Sequence, residues 1–367
     1  MKKGIVVISG YNIRAIISFL RVCEINNVPF YIIASSKEDP IFSTKYYTNI
    51  TFVREDDDIE KIYDIVVQVK TEEKLEEVFV IPSSEYLNRY LLRNIGKFMF
   101  KNIKIELVNK KLYEKISDKF TFSEMCKKNE VKIPYIYDNL NNISYPVVAK
   151  PKSYFDYIGK PKKIVNEKEL EEFLSSNSLD NWFIQEYLLG SSYYLLYYFK
   201  RNGEYIAYSQ QNLIQQKDGK SIILAISSDI HKSEVSNNYV NMLKKQKFHG
   251  LIMIELRKSN DFFYMIEANP RLWGPSQLFV DSKVPIFENY LYDMGFEIGC
   301  DKLKSSDYTN SIYFWNEGLV LSESMETYYD YNRNKLLSNY DKLMNIEVFN
   351  REDTINLFNN KRLIKNA

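Results

Sequence analysis

The sequence predicts an α/β protein, with a parallel sheet at the N-terminus and an α+β part after it. In the first hundred residues, apolar runs alternate with amphipathic stretches, which is typical of parallel strands joined by crossover helices. Between residues 193 and 225, apolar and polar residues alternate, and the turn dipeptides Asn202-Gly203 and Asp218-Gly219 predict three antiparallel strands. At 367 residues the chain is too long for one hydrophobic core, so we expect two or three packed subdomains.

The composition is that of a folded protein without a dominant charge. Hydrophobic residues make up 45% of the chain and charged residues 26%, close to the average for globular domains. The 49 basic residues balance 48 acidic ones, so the net charge predicts no nucleic-acid partner. No apolar run approaches the roughly 20 residues that cross a bilayer, which predicts no membrane partner.

The N-terminus and the cysteines favour a cytoplasmic protein. The segment Gly4 to Ser9 has an apolar run of only about five residues, which predicts a first β-strand rather than a signal peptide. Cys23, Cys126 and Cys300 lie far apart, without the spacing of a zinc site or a disulfide framework. We therefore predict a cytoplasmic location.

The N-terminal elements place two loops where ligands bind in parallel sheets. Apolar patterns predict strands at 4–9, 29–34 and 78–82, with helices at 13–26 and, after the acidic run Glu55 to Asp58, to about residue 70. The loops after strands are Ser9 to Asn12 and Ser83 to Glu85, at the strand ends where α/β proteins bind substrates. Substrate contact and ordinary turn chemistry both remain open for these loops.

The rest of the chain predicts short buried strands that alternate with helices. The segment 145–151 is an apolar strand that ends on Lys150 before a proline, and 182–187 is a second strand closed by Gly190. We expect helices at 109–129, 167–175 and 233–246, and a strand at 311–315 followed by a helical stretch.

Two carboxylates stand on a predicted β-hairpin between residues 250 and 271. With a three-residue loop, Glu255 lies opposite Met265 and Glu267 is its diagonal neighbour, which places both acids and Asn269 on one face. A four-residue loop would put the two acids on opposite faces. Close, buried carboxylates need a compensating cation, and Mg²⁺ prefers such hard oxygen ligands. The alternative is an exposed face whose acids pair with Arg257 and Arg271.

These segments resemble the ATP-grasp family, specifically its carboxylate–amine ligase branch. Glu267-Ala268-Asn269-Pro270-Arg271 is similar to the family's metal-binding Glu and Asn followed by an anion-contacting Arg, and Glu255 stands twelve residues upstream, where the other metal acid belongs. The resemblance implies a Mg²⁺ site, which Mn²⁺ could also fill, at Glu255, Glu267 and Asn269. It also implies Arg271 as the catalytic residue.

The resemblance implies an ATP site as well. Lys150 ends a strand like the one whose lysine reaches the nucleotide phosphates, and Ser117-Asp118-Lys119 is similar to the helix that carries a second such lysine. The segment 183–190 resembles the adenine hinge. The ATP contacts implied in the hinge and beyond it are Gln185, Glu186, Tyr187, Leu188, Ser192 and Lys217.

The chain departs from the family at several places, among them the phosphate loop and the ribose contact. The segment Ser153 to Lys160 offers one glycine where relatives have a glycine-rich phosphate loop, and Ser192 stands where an acidic residue commonly holds the ribose. A segment with fewer glycines has fewer backbone N–H groups free to cradle a phosphate.

The resemblance covers roughly Ile5 to Arg271 and implies a Rossmann-like N-terminal sheet followed by a two-subdomain ATP-grasp fold. We expect a pre-ATP-grasp domain at 1–108 and an ATP-grasp domain at 109–305. The second divides into a small lid (about 122–188) and a larger metal-binding part (about 189–305), and 306–367 forms a C-terminal extension packed on it. A homodimer is common in this family.

The implied activity is ATP-dependent ligation of a small-molecule carboxylate to an amine. The products would be an amide, ADP and phosphate, formed through an acyl phosphate. Two alternatives stay open from the sequence: a kinase that phosphorylates a small molecule, and a nucleotide-binding module with reduced catalysis.

Overall fold

The computed structural model describes residues 2–54, 59–152, 159–304 and 308–363. The predicted acidic helix start at Glu55 to Asp58 lies outside the described residues. So do residues 153–158 of the predicted phosphate loop. Within the described ranges, no helix is both long and apolar enough to span a membrane.

The first hundred residues form a five-stranded parallel sheet with the order β3-β2-β1-β4-β5, which confirms the predicted fold class for this part. Its elements are β1 (Lys3–Ile8), α1 (Ile13–Ile25), β2 (Phe30–Ala34), β3 (Ile50–Val53), α2 (Ile59–Glu72), β4 (Glu77–Pro82), α3 (Glu85–Arg93), α4 (Ile95–Met99) and β5 (Ile103–Ile105). The central strand β1 is apolar after Lys3, and this part is buried because the sheet is covered on both faces. Ile5 and Val7 face the core that contains α1, whereas Val6 and Ile8 face the core that contains α2 and α3.

A pair of helices and a small antiparallel sheet follow. They comprise α5 (Lys110–Ser117), α6 (Lys119–Lys128), β6 (Val147–Pro151), β7 (Lys162–Ile164), α7 (Glu167–Ser176) and β8 (Trp182–Glu186). Asp118 separates the two helices and caps the second, since its side chain accepts a hydrogen bond from the Thr121 N–H. The small sheet has the order β7-β6-β8 and packs its own apolar cluster against α7.

The third sheet is the largest, with the order β13-β12-β9-β10-β11-β14 and with β15 paired to β10. Its elements, with the helices that follow, are β9 (Ser191–Phe199), β10 (Tyr205–Gln215), β11 (Ile222–Ser228), α8 (Glu234–Lys245), β12 (Gly250–Ser259), β13 (Phe262–Asn269), α9 (Gln277–Asp281), α10 (Ile286–Asp293), α11 (Cys300–Leu303), β14 (Ile312–Phe314), α12 (Asn316–Leu321), β15 (Thr327–Tyr328), α13 (Arg333–Asn345) and α14 (Ile355–Leu363). The three antiparallel strands predicted between 193 and 225 are confirmed as β9, β10 and β11.

The C-terminal segment is built into the large sheet. Strand β14 pairs with β11, and β15 pairs with β10, so the segment after residue 308 supplies two strands. The sequence predicted the first of these strands but not the second, because two residues are too few for a periodic pattern. The domain boundaries themselves stay a prediction.

Helix α10 joins the parallel sheet's core to the large sheet's core and carries a partly buried acid. Its Phe287 is fully buried and packs edge-on against Phe19 of α1, with ring centroids 5.2 Å apart. Glu288 follows on the same helix. Burial raises the pKa of Glu288 from 4.5 to about 7.

Glu288→Gln should stabilise the protein in a pH-dependent way. Because the folded state holds the Glu288 proton more tightly than the unfolded chain, this residue makes the free energy of unfolding fall as the pH rises from 4.5 to about 7. We expect Glu288→Gln to raise the free energy of unfolding by about 1–3 kcal/mol at a pH of about 8 and by much less at a pH of about 5. Urea unfolding at both pH values measures this. Glu297→Gln, at an exposed position, is the matched control, and an equal gain at both pH values would contradict the assignment.

Candidate functional site

The hairpin β12–β13 brings Glu255 and Glu267 directly opposite each other. Its turn is Asn260-Asp261, with positive φ angles of 46° and 64° at the two residues, as a tight two-residue turn requires. The predicted three-residue loop is therefore wrong. The prediction that both carboxylates and Asn269 share one face of the hairpin is confirmed.

A β-bulge sets this register. From the turn, Ser259 pairs with Phe262, and an unbroken ladder would pair Glu255 with Ile266 and turn the two carboxylates to opposite faces. The ladder shifts by one residue between Leu256 and Glu255, so that Ile266 is the extra residue and Glu267 moves opposite Glu255. The Lys150 Nζ lies 3.4 Å from the Ile266 carbonyl oxygen, which places this lysine at the bulge.

Cations and an amide surround the carboxylate pair. The Lys119 ammonium forms a salt bridge with Glu267, and the Asn269 Nδ2 donates to the other Glu267 oxygen at 2.9 Å. The Arg257 guanidinium lies 3.5 Å from the Glu255 carboxylate. Lys150 donates to the Gln185 Oε1 at 2.7 Å. The exposed-face alternative is wrong about burial, because Glu255 and Asn269 are each only 6% exposed, but the pair that it expected between Glu255 and Arg257 is present.

Burial and neighbouring charges shift the pKa of both carboxylates and of Lys150. Burial and the neighbouring Glu267 raise the pKa of Glu255, whereas the Lys119 ammonium lowers that of Glu267 against the effect of burial. Burial, with the nearby Lys119 charge, lowers the pKa of Lys150 to about 7. Clustered shifts of this kind are typical of functional sites.

The donor set fits a magnesium ion that is completed by phosphate oxygens. Within the described ranges, no group of three or more His, Cys, Asp or Glu side chains could hold a metal. Two carboxylates and the amide oxygen of Asn269 share one face, and Mg²⁺ commonly takes one or two carboxylates, with phosphates and water completing its shell. The Asn269 Oδ1 now accepts from Arg271 Nη2 at 3.2 Å.

The carboxylate pair lies where two cavities meet. One has a volume of about 400 Å³ and the other of about 660 Å³, and Lys119, Glu255 and Glu267 line both. The smaller one is bounded by the predicted hinge and is called the hinge cavity below. The larger one reaches the N-terminal sheet and is called the acid cavity below.

The hinge cavity collects most of the predicted nucleotide contacts. It is lined by Lys119, Lys150, Gln185, Glu186, Tyr187, Leu188 and Lys217. Gln185 is 1% exposed, and its side chain accepts from Lys150 and donates to the Pro134 carbonyl oxygen at 3.3 Å. Lys217 is exposed at the turn before β11, with its Nζ 3.4 Å from the Met325 sulfur.

The structure does not bring Ser192 to the hinge cavity. This residue is fully buried on β9, and its Oγ accepts from the Asn212 Nδ2 of β10 at 2.9 Å. Ser192 lies opposite Asn212 in the β9–β10 ladder, so both side chains stand on the same face of the sheet, and the residue that matches the family's ribose contact is hydrogen-bonded there.

The acid cavity contains both N-terminal loops that the sequence singled out. Tyr11 and Asn12 of the first loop and Ser83 to Glu85 of the second line it. Arg271 lies on the same cavity, and its Nε is 3.6 Å from a Glu85 carboxylate oxygen. Glu85 is held in turn by Arg89, whose Nε donates to it at 3.1 Å.

Sequence reasoning missed several lining residues. Thr327 and Tyr329, from the C-terminal segment, line the hinge cavity, and the Tyr329 hydroxyl donates to Gln215 Oε1 at 2.7 Å. Arg14 and Trp273 line the acid cavity. No local motif marks these residues, because tertiary packing alone brings their distant segments to the cavities.

Comparisons with known proteins find the fold but no close sequence relative. No family model matches the chain, and no curated protein matches it by sequence. Biotin carboxylase from Campylobacter jejuni, solved as a complex with beta-gamma-ATP, superposes with a TM-score of 0.63 at 15% identity, covering 84% of this chain and 74% of that one. N5-carboxyaminoimidazole ribonucleotide synthetase from Thermus thermophilus gives a TM-score of 0.63 at 14% identity, covering 84% and 82%.

A third similar structure contains the ligands expected of this fold. The biotin carboxylase domain dimer of Hydrogenobacter thermophilus 2-oxoglutarate carboxylase, in complex with MgADP, ADP and bicarbonate, has a TM-score of 0.62 at 16% identity, covering 84% of this chain and 73% of that one. At such low identities the likeness concerns the fold. The chain therefore has the ATP-grasp fold, which confirms the predicted fold class.

Glu255→Gln should stabilise the ligand-free protein, because it removes one of two repelling carboxylates from a buried site. We expect the free energy of unfolding to rise by about 1 kcal/mol. Urea unfolding of the ligand-free protein measures this, with Glu204→Gln, at an exposed acid in the turn between β9 and β10, as the control. A loss of stability would show that the surrounding cations, rather than repulsion, determine the energy of the pair.

Proposed function

We propose that this protein is an ATP- and magnesium-dependent ligase that joins a small-molecule carboxylate to an amine. The observation that carries the proposal is the position of the Glu255–Glu267 pair at the junction of the two cavities. A γ-phosphate bound at this junction would face the hinge cavity on one side and a substrate in the acid cavity on the other. The likeness to biotin carboxylases and to N5-carboxyaminoimidazole ribonucleotide synthetase supports the same class of reaction.

In this proposal, the hinge cavity binds ATP. Residues 185–188 border the adenine, while Lys119 and Lys150 neutralise phosphate oxygens. The pKa of Lys150 is lowered by burial. The negative charge of a bound phosphate would raise it again and favour the protonated lysine. Glu255, Glu267 and Asn269 would hold magnesium, which supplies charge neutralisation at the transferring phosphoryl group.

The acid cavity binds the carboxylate, with Arg271 beside the junction. A carboxylate oxygen of the substrate attacks the γ-phosphorus, the bond to the β-phosphate oxygen breaks, and ADP leaves. The Arg271 fork suits the oxygens of the resulting acyl phosphate. The amine then attacks the carbonyl carbon, the bond to phosphate breaks, and the proton lost by nitrogen passes to phosphate or solvent. Catalysis is by positioning and charge stabilisation.

A homodimer and a cytoplasmic location belong to the same proposal. The dimeric state of the Hydrogenobacter thermophilus domain supports the first, and the balanced charge and separated cysteines support the second. Size-exclusion chromatography with light scattering measures the oligomeric state directly.

Glu267→Gln should abolish turnover while retaining the fold, since it removes a carboxylate needed to bind the metal. We expect kcat to fall by about 100-fold or more, with a circular-dichroism spectrum like that of the wild type. Glu204→Gln serves as the matched surface control. Activity close to that of the wild type in Glu267→Gln would remove the basis of the metal assignment.

Phosphate release over an array of carboxylates crossed with amines tests the reaction itself. A ligase needs both substrates for sustained release, and hydroxylamine should trap its acyl phosphate as a hydroxamate. Accumulation of a stable phosphoester would instead identify a kinase. ATP-dependent thermal stabilisation without phosphate release for any pair would identify a binding module.

A further inference from the structure

The acid cavity contains a buried arginine that the reaction as proposed does not use. Arg14 is 7% exposed and lines this cavity together with Arg271. It is the second residue of α1, where the positive end of the helix dipole makes a cation unfavourable. Among the side chains that the structure describes, no carboxylate forms a salt bridge with Arg14 within 4.0 Å. A buried arginine ordinarily has such a partner.

The contacts of Arg14 with the described residues hold it in place through neutral groups. Its Nη1 donates to the Ile222 carbonyl oxygen at 3.2 Å and to the Tyr313 hydroxyl at 3.0 Å, and its Nη2 donates to the Ser221 Oγ at 2.8 Å. The guanidinium also lies 3.7 Å from the centroid of the Trp315 ring. All of these partners are neutral. The neighbouring Arg21 on the same helix shows the contrast, because Asp353 pairs with it at 2.8 Å.

Close packing fixes the guanidinium against the cavity wall. A Cβ at Gly274 would come within 2.9 Å of the Arg14 Nη2, so the absence of a side chain there leaves room for the arginine. Lys220 lines the same cavity beside Ser221 and adds a second positive charge. The buried Ser83 Oγ, which lines the cavity too, has no hydrogen-bond partner among the described residues.

From these observations we infer that Arg14 binds a second group of a substrate that is anionic at neutral pH, a carboxylate or a phosphate. This group is not the carboxylate that is activated. This inference rests on the proposed ligase function and narrows its substrates. One of the two substrates carries an additional anion, which docks on Arg14 while the reacting groups lie near Arg271. The cavity of about 660 Å³ has room for such a bifunctional substrate.

The Trp315 ring gives a direct probe of this site. The chain has three tryptophans, so 5-fluorotryptophan labelling should give three ¹⁹F resonances, which single Trp→Phe variants assign. The probes are inorganic phosphate, succinate and acetate, each titrated at constant ionic strength against chloride. We expect phosphate or succinate to shift the Trp315 resonance saturably, and the tighter of the two identifies the anion as phosphate or carboxylate.

Variants at Arg14 separate binding from support of the fold. Arg14→Met should abolish the saturable shift, and Arg14→Lys, which keeps the charge but loses the planar fork, should weaken it about tenfold. Arg333→Met, which removes an exposed arginine at the start of α13, should leave it unchanged. If Arg14→Met does not fold, the titrations of the wild type and of Arg14→Lys still show whether the anion binds at Arg14. No saturable Trp315 shift in the wild type, or the same shift in a folded Arg14→Met, would overturn the inference.

Kinetics test the same site with the substrate pair that the array identifies. Both Arg14 variants should raise the KM of the anionic substrate by about 10- to 100-fold, with kcat and the KM for ATP nearly unchanged. An analogue with that anion replaced by an amide should show the same KM in all variants. Ligase activity with an unchanged KM would overturn the role of Arg14 and leave the ligase proposal standing. Absence of ligase activity would instead refute the ligase proposal, while the ¹⁹F titration would still report on Arg14.

Discussion

The pairing of Glu255 with Glu267 across one bulged hairpin is the constraint on which the rest of the site depends. An antiparallel ladder fixes which face each side chain takes, and a shift of one residue changes that face. The extra residue Ile266 provides this shift and leaves the two carboxylates together, with the Lys150 ammonium near the carbonyl of the bulge. Two carboxylates that lie opposite each other and largely away from water require cations nearby. The positions of Lys119 and Arg257 follow from this constraint.

Three separate sheets and helix α6 supply the charged groups of the site and the walls around them. The small sheet contributes Lys150 and the hinge, the large sheet contributes the carboxylates, and the parallel sheet contributes the loops of the acid cavity. Helix α6 starts with Lys119, directly after its cap Asp118. The cap therefore fixes the backbone position from which the Lys119 side chain extends to Glu267. A junction assembled from separate sheets can hold a phosphoryl donor and its acceptor on opposite sides of one charged centre.

The C-terminal segment completes the arrangement instead of only covering it. Tyr329 lines the hinge cavity and its hydroxyl donates to Gln215, whose Nε2 donates to the carbonyl oxygens of Gly219 and Lys220. Tyr313 and Trp315 contact the guanidinium of Arg14, which lines the acid cavity. This segment therefore contributes to both cavities, and changes in it would alter ligand binding as well as stability.

The sequence by itself determined the fold class and most of the carboxylate site. Strand and helix periods are local, so β6 ending at Lys150, the three strands β9 to β11 and the acids of the hairpin could all be predicted. Only the tertiary structure decided the register of Glu255, the burial of Ser192 beside Asn212 and the contact of Arg14 with Trp315. The first depends on a bulge and the other two on contacts between different elements, and neither leaves a periodic signal in the chain.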